Sequence, residues 1–287
     1  MSFEAIYAHV PADQREALRH FREAHPVQTR DLRGTRWTYL VGGSHDKPVI
    51  LWLVGGLRMA DAAYRSIPLL EDEFRIIAPD YPALDTMAAL TDGLADLLTA
   101  EGVSRAHVLA GSFGGMVAQV FVRRHPRRVG RLILSTTAVL DEAGAERYRQ
   151  QLEMMTAAPP EVLAQVSQAR FLEMIAPPDS ERAFWAAYVE ELFTERLSRA
   201  DQLSTVRCLL DFAHSYRLSP DDLADWGERI LLIEAEDDAT FDAEARSRLR
   251  ALYPGARTHR FEAGGHSPAT TRREEYFALV RSFLKGL

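Results

Sequence analysis

An α/β fold, with a mostly parallel sheet flanked by helices and a helical insertion, follows from three features of this 287-residue sequence. Short, continuously apolar segments alternate with segments of helical periodicity, the pattern of a parallel sheet covered on both faces. One apolar segment runs straight into a helix through Ala110-Gly111-Ser112-Phe113-Gly114-Gly115, with no loop between them. Between residues 138 and 228 the strand signals stop and helices take over, after which the strand pattern resumes. The expected organisation is a core of residues 1–137 and 229–287, with residues 138–228 as a helical lid.

The elements follow in chain order. Residues 12–24 place Ala17, Leu18 and Phe21 on one face of a short helix. Arg36-Trp37-Thr38-Tyr39-Leu40-Val41 alternates like a half-buried strand and ends at Gly42-Gly43. Val49 to Val54 is apolar throughout, as a strand buried on both faces should be, and stops at Gly55-Gly56. A helix is expected near Ala60 to Leu70, and a strand at Phe74 to Pro79. Asp85 is the expected cap of a helix carrying Met87, Leu90, Leu94, Leu97 and Leu98, closed by Gly102. A strand from Ala106 leads to Ser112, a helix with Met116, Val117, Val120 and Phe121 follows, and Arg131 to Ser135 is the next strand.

The insertion reads as four or five helices broken by Pro159-Pro160, Pro177-Pro178 and Pro220. Its Met154, Met155, Phe171, Met174, Phe184, Trp185, Tyr188, Phe193 and Phe212 pack the helices together, and some of them are expected to line a pocket beneath. The sheet resumes at Arg229 to Ala235. A helix over Asp242 to Tyr253 follows, then a strand at Thr258 to Phe261, then Gly264-Gly265-His266-Ser267-Pro268 and a last amphipathic helix.

Composition narrows the function classes. The hydrophobic fraction of 47% suits a globular protein with a substantial core. A net charge of −7 and the lack of any basic run argue against nucleic acid as a partner. The single cysteine, Cys208, fits a reducing compartment and reads as a buried small hydrophobe. Met1-Ser2-Phe3-Glu4-Ala5 lacks a basic region followed by an apolar core, so no signal peptide is expected. No apolar run approaches the length of a membrane span. The expectation is a cytoplasmic protein with no membrane partner, no cofactor and no metal, because no histidine lies in a helical i, i+4 pair with carboxylates.

The chemistry centres on Ser112. A strand that turns straight into a helix bends sharply and lifts one side chain above the sheet edge, which requires small neighbours such as Ala110 and Gly114. The pattern is G-x-S-x-G with Ala110 in place of the first glycine. The hydroxyl then stands at a helix N-terminus, where the dipole favours developing negative charge. A serine hydroxyl is a weak nucleophile and needs a base, and the base needs a partner that fixes its tautomer. In chain order the sequence offers Ser112, then Glu236-Asp237-Asp238 after one strand, then His266 after the next. Phe113 and Leu57 are the expected backbone N–H donors of an oxyanion hole.

Four stretches together resemble the alpha/beta-hydrolase superfamily over nearly the whole chain: Leu53-Val54-Gly55-Gly56-Leu57, Ala110-Gly111-Ser112-Phe113-Gly114-Gly115, Glu236-Asp237-Asp238 and Gly264-Gly265-His266-Ser267-Pro268. Within it the chain is similar to maspardin-like proteins, on Asp80-Tyr81-Pro82, Ser215-Tyr216 and Leu252-Tyr253-Pro254-Gly255-Ala256-Arg257. The superfamily resemblance implies a Ser112–His266–Asp238 triad acting on a small-molecule acyl substrate through an acyl-enzyme, with a carboxylic ester or lactone the first expectation. Thioesters, amides and carbon–carbon bonds next to a carbonyl are left open, because one triad serves them all. The maspardin branch is known more for binding than for turnover and lacks the histidine, so the alternative is a binding or scaffold protein. His266 argues for catalysis.

The chain departs from the family in two places. Gly55-Gly56 stands where His-Gly is common, which would loosen the oxyanion loop, and Asp80-Tyr81-Pro82 replaces a common Gly-x-Gly. Family spacing from Ala235 selects Asp238 as the acid, a maspardin-like alignment selects Asp237, and Asp141 is a third candidate.

Overall fold

A computed structural model describes residues 2–286. Eight strands form one sheet in the order β1-β2-β4-β3-β5-β6-β7-β8. They are β1 (Gln28–Leu32), β2 (Thr35–Gly42), β3 (Val49–Leu53), β4 (Arg75–Pro79), β5 (Ala106–Gly111), β6 (Val129–Ser135), β7 (Ile230–Ala235) and β8 (Arg257–Phe261). The β1–β2 and β2–β4 pairs are antiparallel, and all others are parallel. The interior strands β4 and β7 are buried at every residue, which is why they read as mostly apolar runs, with Arg75 and Glu234 the exceptions.

The helices are α1 (Phe3–Ile6), α2 (Ala12–Ala24), α3 (Met87–Ala100), α4 (Phe113–Arg124), α5 (Glu142–Ala157), α6 (Pro160–Ile175), α7 (Arg182–Glu191), α8 (Arg199–Ser215), α9 (Ala243–Leu252), α10 (Pro268–Thr271) and α11 (Arg273–Lys285). The apolar residues of α3, α4 and α11 join the sheet in one core, with Leu94, Val117 and Phe283 fully buried.

Two expectations from the sequence are corrected, and one strand is added to them. The helix near Ala60 to Leu70 is two short 3-10 turns, Ala60–Ala63 and Ile67–Leu69. Pro68 has no N–H to continue a helical ladder. The cap of α3 is Thr86, whose Oγ1 accepts from Ala89 N at 3.2 Å, while Asp85 pairs with Arg207. The strand β1 was not expected at all: Gln28-Thr29-Arg30-Asp31-Leu32 is a polar edge strand with no apolar alternation to mark it.

The sheet order positions the site. From β3 the chain passes to β4 on one side, then crosses to β5 on the other, so the loops after β3 and β5 part company. That crevice, at the carboxyl ends of the strands, is the topological switch point where open α/β sheets bind ligands.

Between β6 and β7 the chain forms α5 to α8 and no strand. Asp141 caps α5, Pro160 opens α6 where a missing N–H costs nothing, and Ser198 with Asp201 forms a capping box on α8. Two buried carboxylates tie this segment to the core. Asp61 accepts from Arg22 of α2 at 2.9 Å, from Arg196 at 2.8 Å and from Tyr188 of α7 at 2.7 Å. Burial alone would raise the Asp61 pKa, but Arg196 and Arg22 outweigh it and hold the carboxyl below its ordinary range. Glu181 likewise accepts from Arg65 at 2.5 Å and from Arg273 of α11 at 3.2 Å.

Candidate active site

Ser112 occupies the single residue between β5 and α4, with φ +51° and ψ −122°. A non-glycine residue rarely adopts this conformation, and strain of this kind persists only where the surroundings enforce it. They do so here through the backbone: Ser112 N donates to Ser135 O at 3.0 Å, and Thr137 Oγ1 donates to Ser112 O at 2.7 Å. The small residues beyond it have a steric reason. A Cβ on Gly114 would lie 2.3 Å from Leu53 O and 2.4 Å from Val54 O, and one on Gly115 would lie 2.5 Å from Thr137 Cβ. The first turn of α4 therefore packs directly on the end of β3.

The chain brings Ser112, His266 and Asp238 together. Ser112 Oγ and His266 Nε2 are 2.9 Å apart, and His266 Nδ1 lies 3.1 Å from each oxygen of Asp238. His266 and Asp238 are both buried. The Asp238 carboxylate is also held by its own loop, accepting from Thr240 N at 2.8 Å and Phe241 N at 3.3 Å. With Nδ1–H committed to Asp238, Nε2 is left as the acceptor facing the serine. The other two acid candidates have separate tasks. Asp237 Oδ1 accepts from Gly264 N at 2.9 Å and Gly265 N at 2.8 Å, fixing the turn that carries His266. Asp141 Oδ1 caps α5 through Gly144 N at 2.7 Å.

Of the expected oxyanion donors, Phe113 is the first residue of α4, so its N–H has no partner within the helix. Leu57 sits in the turn Gly55-Gly56-Leu57-Arg58, closed by Arg58 N to Gly55 O at 3.0 Å. Residues after the double glycine hold this loop firmly, against the expectation of looseness. Arg58, only 2% exposed and itself at φ +67°, donates from Nη2 to Tyr81 O at 2.8 Å and Pro82 O at 2.9 Å. Its Nη1 reaches Thr205 of α8 at 2.5 Å. Tyr81 OH donates to Val54 O at 2.8 Å, and Asp80 Oδ1 accepts from Ala60 N at 2.7 Å. Asp80-Tyr81-Pro82, read in the sequence as a departure, is thus the floor on which the Gly55–Arg58 turn rests. Arg58 is the residue that sequence reasoning missed; an arginine directly after Gly-Gly-Leu, in an otherwise apolar stretch, was its only signal.

Two cavities meet at Ser112. The larger, about 370 Å³, lies beneath α5, α6 and α8, and the smaller, about 170 Å³, lies between the Gly55–Arg58 turn, α7 and the His266 loop. Gly56, Ser112, Phe171 and Met174 border both. Among the described residues no group of three His, Cys, Asp or Glu side chains is arranged to hold a metal ion. No helix among them is long and apolar enough to cross a membrane.

Comparison with known proteins agrees with this fold. A hydrolase of 2-hydroxy-6-oxononadienedioate and 2-hydroxy-6-oxononatrienedioate from Pseudomonas putida is 26% identical over 239 residues, covering 76% of this chain and 79% of the relative. A hydrolase from Pseudomonas aeruginosa superposes with a TM-score of 0.74 at 22% identity, over 90% of this chain and 98% of that one. The enol-lactonase from Burkholderia xenovorans superposes with a TM-score of 0.71 at 19% identity, over 90% of this chain and 100% of that one. The family model described as alpha/beta hydrolase fold matches residues 48–271, from just before β3 to the end of α10. The chain therefore belongs to the alpha/beta hydrolase fold family.

Proposed function

We propose that this alpha/beta-fold hydrolase is a serine esterase or lactonase that works through an acyl-enzyme, with Ser112 as nucleophile, His266 as base and Asp238 as its partner. The observation that carries the reading is the hydrogen-bonded line from Ser112 Oγ through His266 to Asp238, built on a strained serine at the switch point. His266 Nε2 takes the Ser112 proton as Oγ attacks the substrate carbonyl carbon, and the carbonyl electron pair moves onto oxygen. The N–H groups of Phe113 and Leu57 receive that oxyanion, aided by the N-terminus of α4. The intermediate collapses, the bond to the leaving oxygen breaks, and His266 gives that oxygen its proton. Water then attacks the acyl-enzyme, with His266 again as base, and the free acid leaves. With a lactone, both products are one hydroxy-acid.

The activities of the relatives support attack on a carbonyl: an enol-lactonase and a hydrolase of an oxo-dioate. Helices α5 to α8 act as the lid, since α5, α6 and α8 roof the larger cavity. A second reading, a maspardin-like binding protein, draws on Gly55-Gly56 and Asp80-Tyr81-Pro82. The hydrogen bonds of Arg58, Tyr81 and Asp80 weaken that argument, because they hold the turn that would have to be lax.

Hydrolysis of p-nitrophenyl butyrate tests the choice. The wild type turns it over, and Ser112→Ala, His266→Ala and the double variant all fall to a similar low level, since the two residues act as one unit. A folded wild type without turnover favours the binding protein.

A further inference from the structure

We infer that the substrate is divided at Ser112 into a long apolar acyl group, held in the larger cavity, and a small leaving group, held in the smaller one. The inference rests on the acyl-enzyme reading and assigns a substrate class to it. The larger cavity is bordered by Phe113, and the smaller by Leu57 and His266. His266 Nε2 must hand its proton to the leaving oxygen, so that oxygen has to lie within hydrogen-bond reach of the ring. The leaving group therefore departs on the side that His266 borders, which is the smaller cavity, about 170 Å³. The rest of the acyl group, on the far side of the carbonyl carbon, then points into the cavity of about 370 Å³.

The walls agree with this division. The larger cavity is lined mainly by apolar side chains, among them Met155, Leu163, Phe193, Val206 and Leu209, which give a hydrocarbon chain its wall. Arg58, Arg170, Gln151 and Gln202 add polar groups at its border. Met154, Val162 and Val166 also border it, on α5 and α6, yet they are 66%, 46% and 59% exposed. Among the described residues only Val27 and Leu69 are further exposed large hydrophobics. An apolar collar at one end of an apolar cavity is what a chain too long for the cavity would rest on. The smaller cavity, walled by Trp52, Ile175 and Trp185, has less than half the volume of the larger, which leaves room for a short leaving group and not for a chain.

Isomeric esters test the assignment directly. Methyl octanoate and heptyl acetate have the same atoms and nearly the same hydrophobicity, but the long chain lies on opposite sides of the ester oxygen. Followed by acid release, kcat/KM for methyl octanoate should exceed that for heptyl acetate by roughly tenfold or more, since cavities discriminate by the methylenes they can bury. Methyl octanoate should likewise exceed methyl butyrate. Val166→Glu, an exposed collar position, should lower the octanoate-to-butyrate ratio about fivefold by placing a charge beside the chain. Equal or inverted rates for the isomeric pair, or an unchanged ratio in Val166→Glu, would overturn the assignment while leaving the esterase reading intact. No turnover of any of the three esters, with a Ser112 that does not react with phosphonates, would overturn both.

Discussion

Asp238 faces His266 with both carboxylate oxygens, each 3.1 Å from Nδ1, while the adjacent Asp237 turns away to two backbone N–H groups at Gly264 and Gly265. Neighbouring carboxylates thus have different tasks, and substitution separates them. Asp238→Asn should lower kcat/KM by about 10²–10⁴, because the imidazole loses the partner that fixes its tautomer. Asp237→Asn should cost far less, since an amide oxygen still accepts from the two glycines. A larger loss at Asp237 would reassign the acid.

Arg58 is a positioning residue. Its guanidinium ties the Gly55–Arg58 turn to the carbonyls of Tyr81 and Pro82 and to Thr205 of α8, and burial lowers its pKa without removing its charge. A lysine ammonium cannot span the same fork. Arg58→Lys should lower kcat about tenfold with little change in KM, because the loss falls on a donor used in the transition state. A rise in KM alone would mean that Arg58 contacts substrate instead.

Asp80 gives the fold a pH signature. Burial raises its carboxyl from 3.8 to about 6, against the lowering effect of the hydrogen bond from Ala60 N. A carboxyl with a raised folded-state pKa binds its proton more tightly when folded. Its contribution to stability is full below 3.8 and is lost as pH rises through about 6. Asp80→Asn never charges, and its amide can still serve Ala60 N and Thr38. From pH 4 to pH 7, denaturant unfolding should show the variant gaining on the wild type by about 2–3 kcal/mol. A constant difference across that range would contradict the account.

Gly114 tests the steric reason for the elbow. A Cβ there would meet the carbonyl oxygens of Leu53 and Val54 at 2.3 and 2.4 Å, and neither can move without shifting β3 and the Gly55–Arg58 turn. Gly114→Ala should destabilise the protein by about 1–3 kcal/mol and remove most turnover. Wild-type stability and activity in this variant would show that the turn has slack.

The interior of the fold was legible because burial writes itself into composition: β3 to β7 are mostly apolar runs, and α3 and α4 repeat their apolar residues at helical spacing. The positions of Ser112, Asp238 and His266 at strand ends were legible from spacing for the same reason. What the sequence hid depends on distant contacts. Strand β1 is polar and exists because β2 pairs with it. The start of α3 is satisfied by Thr86 and also by Asp211 of α8, whose Oδ2 accepts from Met87 N at 2.7 Å across 124 residues. Asp85 and Thr86 are both good capping residues, so local propensity alone cannot choose between them. The grip of Arg58 on Tyr81, Pro82 and Thr205 has no local signature either, so the double glycine read as looseness where the structure has a braced turn.

The central claim is that Ser112 is activated, and reaction with a fluorophosphonate tests it most directly. An activated serine attacks the electrophilic phosphorus and an ordinary one does not. The folded protein should be labelled with one adduct, mapped to Ser112 by peptide mass spectrometry, and Ser112→Ala and His266→Ala should abolish or nearly abolish labelling. A folded wild type that leaves Ser112 unlabelled, or labelling that persists in Ser112→Ala, would contradict the account.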